Sequence, residues 1–181
     1  MRSVVLRVAL ALALVAPALH SESLSDGVVP DFSGRWKMDI VKSMRLAREA
    51  KQMATIVFGD ECVITQTAEA LTMYIVAGGL KVEVTYRLDG KPSANRSPGP
   101  PGEADVAIVS TTRWVADTLE IVTKSESELR GVKVPVESVR RMWLTAEGDL
   151  AVERHGTPAE VVSDAWSVYQ RVKVEPRAYQ R

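Results

Sequence analysis

The sequence predicts an all-β protein, an up-and-down antiparallel β-barrel of about 8–10 strands with one short helix after the first strand. Apolar and polar side chains alternate with a period of two along most of the chain, which is typical of half-buried strands. Short turn sequences separate these stretches, so consecutive strands can pair with their chain neighbours. A single stretch has helical spacing. Closure of the sheet into a barrel would remove the exposed edges of the sheet.

The first predicted strand is the segment FSGRWKMD, residues 32–39. Four of its residues alternate with polar ones and share one face: Phe32, Gly34, Trp36 and Met38. This alternation indicates a strand with one face in the core and the other in water.

A helix is predicted over residues 40–53, with Asp39 as its N-cap. The apolar face expected to pack against the barrel consists of Val41, Met44, Leu46, Ala47, Ala50 and Met53, while basic residues occupy the other side. Two interpretations of the basic side remain open. It is the solvated face of a helix at the barrel mouth, or it makes a peripheral contact with an anionic membrane surface.

The remaining strands are predicted from alternation and from turn residues. They cover residues 62–67, 71–76, 80–88, 106–114, 118–125, 137–145, 150–156 and 165–174. Residues 91–105 are rich in proline and glycine and are predicted to be a mobile loop, because the strand pattern resumes after them. The polar stretch 126–134 is assigned to no strand.

The chain begins with the pattern of a signal peptide. Arg2 and Arg7 accompany a short apolar run, and a small-residue cleavage site follows with its cut near Ala18. We therefore expect export, to the periplasm or the extracellular space. The expected organisation is a signal peptide over 1–20, a barrel domain over 31–174 and a frayed tail over 175–181.

The composition argues against nucleic-acid binding and against a domain stabilised by disulfides. The chain of 181 residues carries 23 basic and 23 acidic side chains, and such a balance gives no electrostatic footprint for nucleic acid. Cys62 is the only cysteine, so no disulfide staples the domain and its stability must come from burial of a core.

The residues that could carry chemistry are few. Glu153 and His155 lie two residues apart on one predicted strand, but a credible metal site needs three or four ligands. The common sequence motifs of nucleophilic and zinc-dependent enzymes do not occur. We therefore expect no catalytic residue, no metal, no cofactor and no enzymatic activity.

Two motifs resemble those of a known superfamily. One is the Gly34–Trp36 step on the first strand, followed directly by a helix and a strand meander, and the other is the Tyr-x-Arg step that ends in Arg171 on the last strand. Together they are similar to the calycins, which include the lipocalins and the fatty-acid-binding proteins. Within that group the chain most resembles small exported lipocalin-like proteins of bacteria.

The resemblance implies structural roles for three residues. In that family the tryptophan of the first strand closes one end of the barrel and an arginine of the last strand packs across it, which here are Trp36 and Arg171. A guanidinium stacks on an indole face, and Gly34 lets the chain pass closely under the ring. The resemblance also implies that the barrel binds a small hydrophobic or amphipathic ligand without catalysis.

Five residues are candidates for the lining of a pocket: Tyr74, Tyr86, Trp114, Arg141 and Trp143. Alternation puts Arg141 and Trp143 on one face of strand 137–145, but it leaves open which face is inward. An inward Arg141 would need a partner, either an anionic ligand or a neighbouring glutamate. If the tryptophan rings instead fill the interior, the protein is a structural or protein-interaction module of the cell envelope.

Overall fold

The computed structural model describes residues 29–51, 54, 57–77, 80–97 and 105–173. The predicted signal peptide over 1–20 and the predicted tail over 175–181 lie outside these ranges. The described ranges form ten strands and one helix. In chain order these are β1 (Gly34–Met38), α1 (Ile40–Glu49), β2 (Glu61–Gln66), β3 (Ala70–Ala77), β4 (Leu80–Arg87), β5 (Ser93–Ser97), β6 (Val106–Val115), β7 (Thr118–Leu129), β8 (Val132–Leu144), β9 (Leu150–Thr157) and β10 (Ala165–Arg171).

The ten strands form one antiparallel sheet that curves into a nearly closed up-and-down barrel. Strands pair with their chain neighbours, apart from β4 and β5, and the first strand β1 pairs with the last strand β10. In that closing pair Trp36 lies opposite Arg171, and Met38 lies opposite Tyr169. The predicted fold class is therefore confirmed, including the short helix after the first strand.

The seam between β4 and β5 is bridged by side chains. The Asn95 amide accepts from the Thr85 backbone N–H over 2.9 Å and donates to the Thr85 carbonyl over 2.9 Å, as a peptide group of a neighbouring strand would. The Ser93 hydroxyl accepts from the Arg87 N–H over 2.7 Å, and the Thr112 hydroxyl donates to the Arg87 carbonyl. These bonds satisfy backbone groups that an open sheet edge would expose.

The closed end of the barrel is built around Trp36 and Arg171. The Arg171 guanidinium carbon lies 4.4 Å from the centre of the Trp36 ring, in a cation–π contact. Trp36 is fully buried, and its indole N–H donates to the Phe32 carbonyl over 2.8 Å. Arg171 also donates to the Ser33 carbonyl. A single side chain of β10 thus contacts both the ring of Trp36 and the backbone just before β1.

Gly34 leaves the space that Arg171 occupies. Its φ is +144°, a conformation that side chains with a Cβ rarely adopt, and a Cβ added there would lie 2.7 Å from Arg171 Nη1. Glycine is therefore needed at this position both for its backbone conformation and for the approach of the guanidinium.

Helix α1 begins directly after β1 and bonds the part of β10 that β1 does not reach. The Asp39 carboxylate accepts from the Lys42 backbone N–H over 2.9 Å, which confirms the predicted N-cap. The Asp39 N–H donates to the Val168 carbonyl over 2.8 Å, and the Ser43 hydroxyl accepts from the Val168 N–H over 2.8 Å. The start of the helix therefore satisfies backbone groups of β10 that β1 no longer reaches.

The buried face of α1 differs from the predicted one. Ala47 is buried as predicted and Ser43 is buried beside it, whereas Val41 and Met44 are exposed, so the expectation that Val41 and Met44 pack on the barrel is wrong. Small residues face β10 because the helix approaches closely enough for Ser43 to bond its backbone. The helix ends at Glu49, and residues 52 and 53 lie outside the described ranges. In the part of the chain that the structure describes, no helix has the length and hydropathy that a bilayer span requires.

Two segments without a predicted strand do contain strands. β5 lies inside the predicted loop 91–105, and the polar stretch 126–134 belongs to the β7–β8 hairpin. Residues 125–136 pair only with one another, beyond the last partners of β7 in β6 and of β8 in β9. Most of this ribbon extends past the barrel, and within it only Val136 is buried, so residues 126–131 give a weak strand signal.

The substitution Gly34→Ala is expected to lower the free energy of unfolding by about 3 kcal/mol, because it adds backbone strain and a clash with Arg171. Gly131→Ala is the matched control. Gly131 has a φ of +80° with no atom within 4 Å of an added Cβ, so strain alone remains, at about 1 kcal/mol. Urea denaturation measures both, and equal losses would contradict the close approach of Arg171 to Gly34.

Candidate functional site

The register of β5–β10 arranges their inward side chains in rows around the barrel wall. Each row takes one residue from each of five neighbouring strands, and we name these rows rungs. The small rung consists of Ser93, Ser110, Thr123, Ser138 and Gly156. The arginine rung, next towards the closed end, consists of Thr112, Ile121, Arg140, Arg154 and Ala165. The apolar rung after it consists of Trp114, Leu119, Met142, Val152 and Ser167.

The apolar rung identifies the inward face of these strands. Leu119, Met142 and Val152 are fully buried members of the hydrophobic core. Because successive side chains of a strand alternate between its faces, residues two positions away on β7, β8 and β9 also face inward. Arg140 and Arg154 therefore lie on the inner wall of the barrel.

The contacts of Arg140 place its guanidinium inside the barrel. Its Nη1 donates to the Tyr86 hydroxyl over 3.0 Å, and its Cζ lies 5.9 Å from the centre of the Phe58 ring. Tyr86 is 1% exposed and Phe58 is fully buried, and both belong to the core. Phe58 is held there by its backbone N–H, which donates to the Tyr169 hydroxyl over 2.8 Å. The interior thus gives Arg140 a hydroxyl and an aromatic face as contacts.

Arg154 lies beside Arg140, as its Cα partner in the neighbouring strand. Its Nε donates to the Ser163 carbonyl over 3.2 Å. Burial lowers the pKa of Arg154 and the charge of Arg140 lowers it further, while Asp164 and Tyr169 act in the opposite direction. Asp164 therefore supplies a negative charge near Arg154, and it also lies 3.2 Å from His155. Arg140 and Arg154 adjoin on the inner wall with this carboxylate close to one of them.

The loop between β9 and β10 borders this pair of arginines. A Cβ added to Gly156 would lie 2.3 Å from the side chain of Val162, so Val162 occupies the space that a side chain at position 156 would need. Ser163, the next residue, supplies the carbonyl that binds Arg154. The glycine of the small rung thus allows this loop to fold over the wall of β9.

Two of the five predicted lining residues face inward. Tyr86 contacts Arg140, and Trp114 belongs to the apolar rung, where its ring stacks on Phe32 with centroids 5.8 Å apart. Tyr74 is 49% exposed on the outer surface. The structure therefore brings Tyr86 and Trp114 to the interior and leaves Tyr74 outside.

Arg141 and Trp143 lie on the outer face of β8, because their neighbour Met142 is buried in the core. Trp143 packs edge-on against Trp166, with centroids 5.7 Å apart. The inward face of β8 is therefore the one that carries Arg140 and Met142. Sequence reasoning missed Arg140, although the adjacent pair Arg140–Arg141 was a usable signal: in a strand, one of two consecutive residues must face the core side.

Arg141 belongs to an ion-pair network on the outer surface. The two oxygens of Glu120 receive Arg113 Nη2 at 2.6 Å and Arg141 Nε at 3.0 Å. Arg141 Nη1 also binds Glu153 at 2.8 Å. Burial opposes ionisation of Glu120, yet hydrogen bonds from Arg113 and Arg141 hold the pKa of Glu120 below its ordinary value. The neighbouring glutamates are thus the partners of Arg141.

Cys62 and His155 are the remaining side chains that could take part in chemistry. Burial raises the pKa of the Cys62 thiol to about 12, so it is protonated at neutral pH and is a poor nucleophile. His155 lies 3.2 Å from Asp164 and 3.8 Å from Glu153. Within the described ranges, no group of three or more His, Cys, Asp or Glu side chains has an arrangement that could hold a metal ion.

The sequence matches no protein-family model and no curated protein. The barrel and the helix after its first strand are consistent with a calycin-like fold. The likeness to calycins therefore concerns architecture, and the functional argument depends on the residues of the interior.

The substitution Glu120→Gln is expected to lower the free energy of unfolding by about 2 kcal/mol at pH 7, because two charged hydrogen bonds are weakened at a buried site. The pKa of Glu120 is lower in the folded chain than its ordinary 4.5, so the carboxylate contributes stability above that pH. The difference between wild type and variant should shrink as the pH falls below about 4.5, through the folded pKa.

Urea denaturation between pH 3 and pH 7 measures this difference. Glu128→Gln is the control, since Glu128 is exposed on the β7–β8 ribbon and should change stability little at any pH. A difference between wild type and Glu120→Gln that stays constant down to pH 3 would contradict the assigned role of the carboxylate.

Proposed function

We propose that this protein is an exported β-barrel that binds a small amphipathic molecule in its interior and carries out no chemistry on it. The observation that carries the proposal is the small rung beside the arginine rung. Over five neighbouring strands the inner wall bears only serine, threonine and glycine: Ser93, Ser110, Thr123, Ser138 and Gly156. These side chains are small and buried, with Val162 beside Gly156, and the four hydroxyl groups suit a polar ligand group.

The two ends of the interior differ in polarity. Towards the closed end the wall carries fully buried apolar residues, among them Trp36, Leu119 and Met142. Away from it the wall carries hydroxyls and the two arginines, and Ser110 and Thr123 share a hydrogen bond of 2.9 Å. A wall with an apolar and a polar part fits a molecule with an apolar and a polar part, which supports the proposed ligand class.

The absence of catalysis is also part of the proposal. It is supported by the protonated Cys62 thiol and by the pairing of His155 with two carboxylates. Export is supported by the signal-peptide pattern of residues 1–20. The alternative is a filled barrel with a structural or protein-interaction role, and it is favoured by the large buried rings of Phe32, Trp36 and Phe58.

The substitution Ser138→Leu should weaken ligand binding by about tenfold or more, because a branched side chain would fill the small rung. Val139→Leu is the matched control: it enlarges the adjacent residue, which faces outward on the same strand. The probes are dodecanol, dodecanoate and dodecylamine. Native mass spectrometry detects the complex, and fluorescence titration of the inward Trp114 gives its affinity.

We expect wild type to bind at least one of the three amphiphiles. Ser138→Leu should lose this binding, and Val139→Leu should retain it. If none of them binds wild type, the ligand-binding proposal fails and the filled-barrel alternative is favoured. Circular dichroism of both variants verifies that they are folded.

A second function is suggested by the exposed face of α1. Val41 is 74% exposed, Ile40 54% and Met44 53%, and Arg45 and Arg48 are exposed beside them. Apolar side chains interspersed with arginines are suited to insertion at an anionic membrane surface. We propose a peripheral contact of this kind through α1, within the predicted 40–53 segment. An open surface depression of about 370 Å³ adjoins Ile40 between β1 and β10.

The double substitution Val41→Ser with Met44→Ser should reduce vesicle binding by about tenfold, because it removes the apolar part of this surface. Co-sedimentation with vesicles of phosphatidylcholine, with and without phosphatidylglycerol, measures the effect. Val132→Ser is the control, since Val132 is 63% exposed on the distant β7–β8 ribbon. Equal binding of both variants, or no preference for phosphatidylglycerol in wild type, would rule out the α1 contact.

A further inference from the structure

The outer face of β2 and β3 carries apolar side chains in contact with water. Val63 is 41% exposed, Tyr74 49% and Val76 42%. Val63 and Tyr74 are Cα partners, and Val76 lies two residues after Tyr74 on the same strand, so the three side chains adjoin. Their strand neighbours Ile64 and Met73 are buried in the core, which places the three on the outside of the barrel. An exposed apolar patch of this kind is typical of an interaction surface.

The patch continues into a charged residue on the strand at either side. The strand registers join four residues into one row, which we name the outer row: Arg35 of β1, Val63 of β2, Tyr74 of β3 and Glu83 of β4. All four are exposed. Paired strands lie about 4.8 Å apart, so the outer row is about 14 Å long. It therefore has a positive end, an apolar middle and a negative end.

Both charged ends have a partner within the chain and capacity for another. Arg35 Nη2 lies 2.6 Å from Glu61, and the Arg35 side chain is 54% exposed. The Tyr74 hydroxyl donates to the Glu83 carboxylate, which raises the pKa of Tyr74. A guanidinium has more N–H donors than the bonds to Glu61 use, and a carboxylate has more acceptor sites than one hydroxyl fills. Arg35 and Glu83 can therefore each form a further ion pair.

We propose that the outer face of β1–β4 is the interface of a symmetric homodimer centred on Val63 and Tyr74. A row that is positive at one end and negative at the other is complementary to a second copy of itself in the reverse direction. A two-fold axis parallel to the strands, between β2 and β3, produces that reversal. It places Arg35 of each copy opposite Glu83 of the other, and Val63 opposite Tyr74. The occupant of this face is thus a second copy of the chain, whether or not the barrel binds a ligand.

The adjacent row limits the affinity of this dimer. It consists of Lys37, Glu61, Val76 and Lys81. The same axis places Lys37 of each copy opposite Lys81 of the other, so like charges meet. Both lysines are exposed and lie at the edge of the interface, where water and salt screen their repulsion. The dimer is therefore expected to be weak and reversible.

Sedimentation velocity at protein concentrations from about 1 μM to about 1 mM measures the equilibrium between monomer and dimer. Wild type should pass from monomer to dimer as the concentration rises. Tyr74→Ser should raise the dissociation constant by at least about tenfold, because it removes the aromatic side chain at the centre of the interface. Val109→Ser is the matched control: Val109 is 47% exposed on β6, outside the outer row, and should leave the dissociation constant unchanged.

Exchange of charges tests the orientation of the two copies. Glu83→Lys and Arg35→Glu each place like charges opposite one another at both ends of a homodimer, so each variant alone should dimerise about tenfold more weakly or less. A heterodimer of the two variants has opposite charges at both ends. An equal mixture should therefore associate more tightly than either variant alone. Any dimer in which Arg35 does not face Glu83 predicts no such rescue.

A substitution that strengthens the dimer provides a test of opposite sign. Lys81→Glu replaces the repulsion with Lys37 by an ion pair, so it should lower the dissociation constant by about threefold. Lys133→Glu makes the same change of charge on the β7–β8 ribbon, where Lys133 is exposed, and should have no effect on the dissociation constant.

Two outcomes would overturn the proposal. One is a wild-type protein that stays monomeric at every concentration, which is also the result expected if a different protein covers this face. The other is a dimer that neither Tyr74→Ser nor the charge variants weaken, since another surface then forms it. Circular dichroism verifies that each variant is folded, and the concentration series on wild type requires no variant.

Discussion

The contact between Arg171 and Trp36 holds together the first and last strands of the sheet. A meander of strands has two free edges, and this barrel brings its first and last strands together by pairing β1 with β10. The pair carries a cation–π contact, with 4.4 Å between the guanidinium carbon and the ring centre. Gly34 lies beneath the guanidinium with a φ of +144°, where an added Cβ would be strained and would lie 2.7 Å from Arg171 Nη1. Tight packing at this point places Phe32, Trp36 and Arg171 across one end of the barrel.

Much of this closed end could be predicted from the sequence. The alternation around Trp36 identifies a strand with one buried face, and the tryptophan is indeed fully buried. The position of the helix follows from Asp39, whose carboxylate caps it. These features are local, in that each depends on residues a few positions apart. Local patterns also identify the strands from β6 to β10, because each has one face in the core.

Other features depend on pairing, which alternation does not encode. β5 pairs with β6 through its backbone and reaches β4 through the side chains of Ser93 and Asn95, and a polar segment of five residues gives no sign that it will bridge two strands. The face of α1 that is buried is decided by its close approach to β10, which favours Ser43 and Ala47 over larger apolar residues. The inward face of β8 could not be assigned either, because Trp143 and Met142 are both apolar and lie on opposite faces.

Two consecutive arginines of β8 illustrate how the two faces of one strand give the same side chain different environments. Arg141 faces outward, and two glutamates from the strands on either side bind it, so its charge is balanced within the protein. Arg140 faces inward, and the residue opposite it is a second arginine. A barrel selected only for stability would be expected to carry an apolar side chain at such a position, as Met142 is two residues later. The Arg140 guanidinium is held instead by the Tyr86 hydroxyl and the face of Phe58, and Asp164 supplies a negative charge near the neighbouring Arg154.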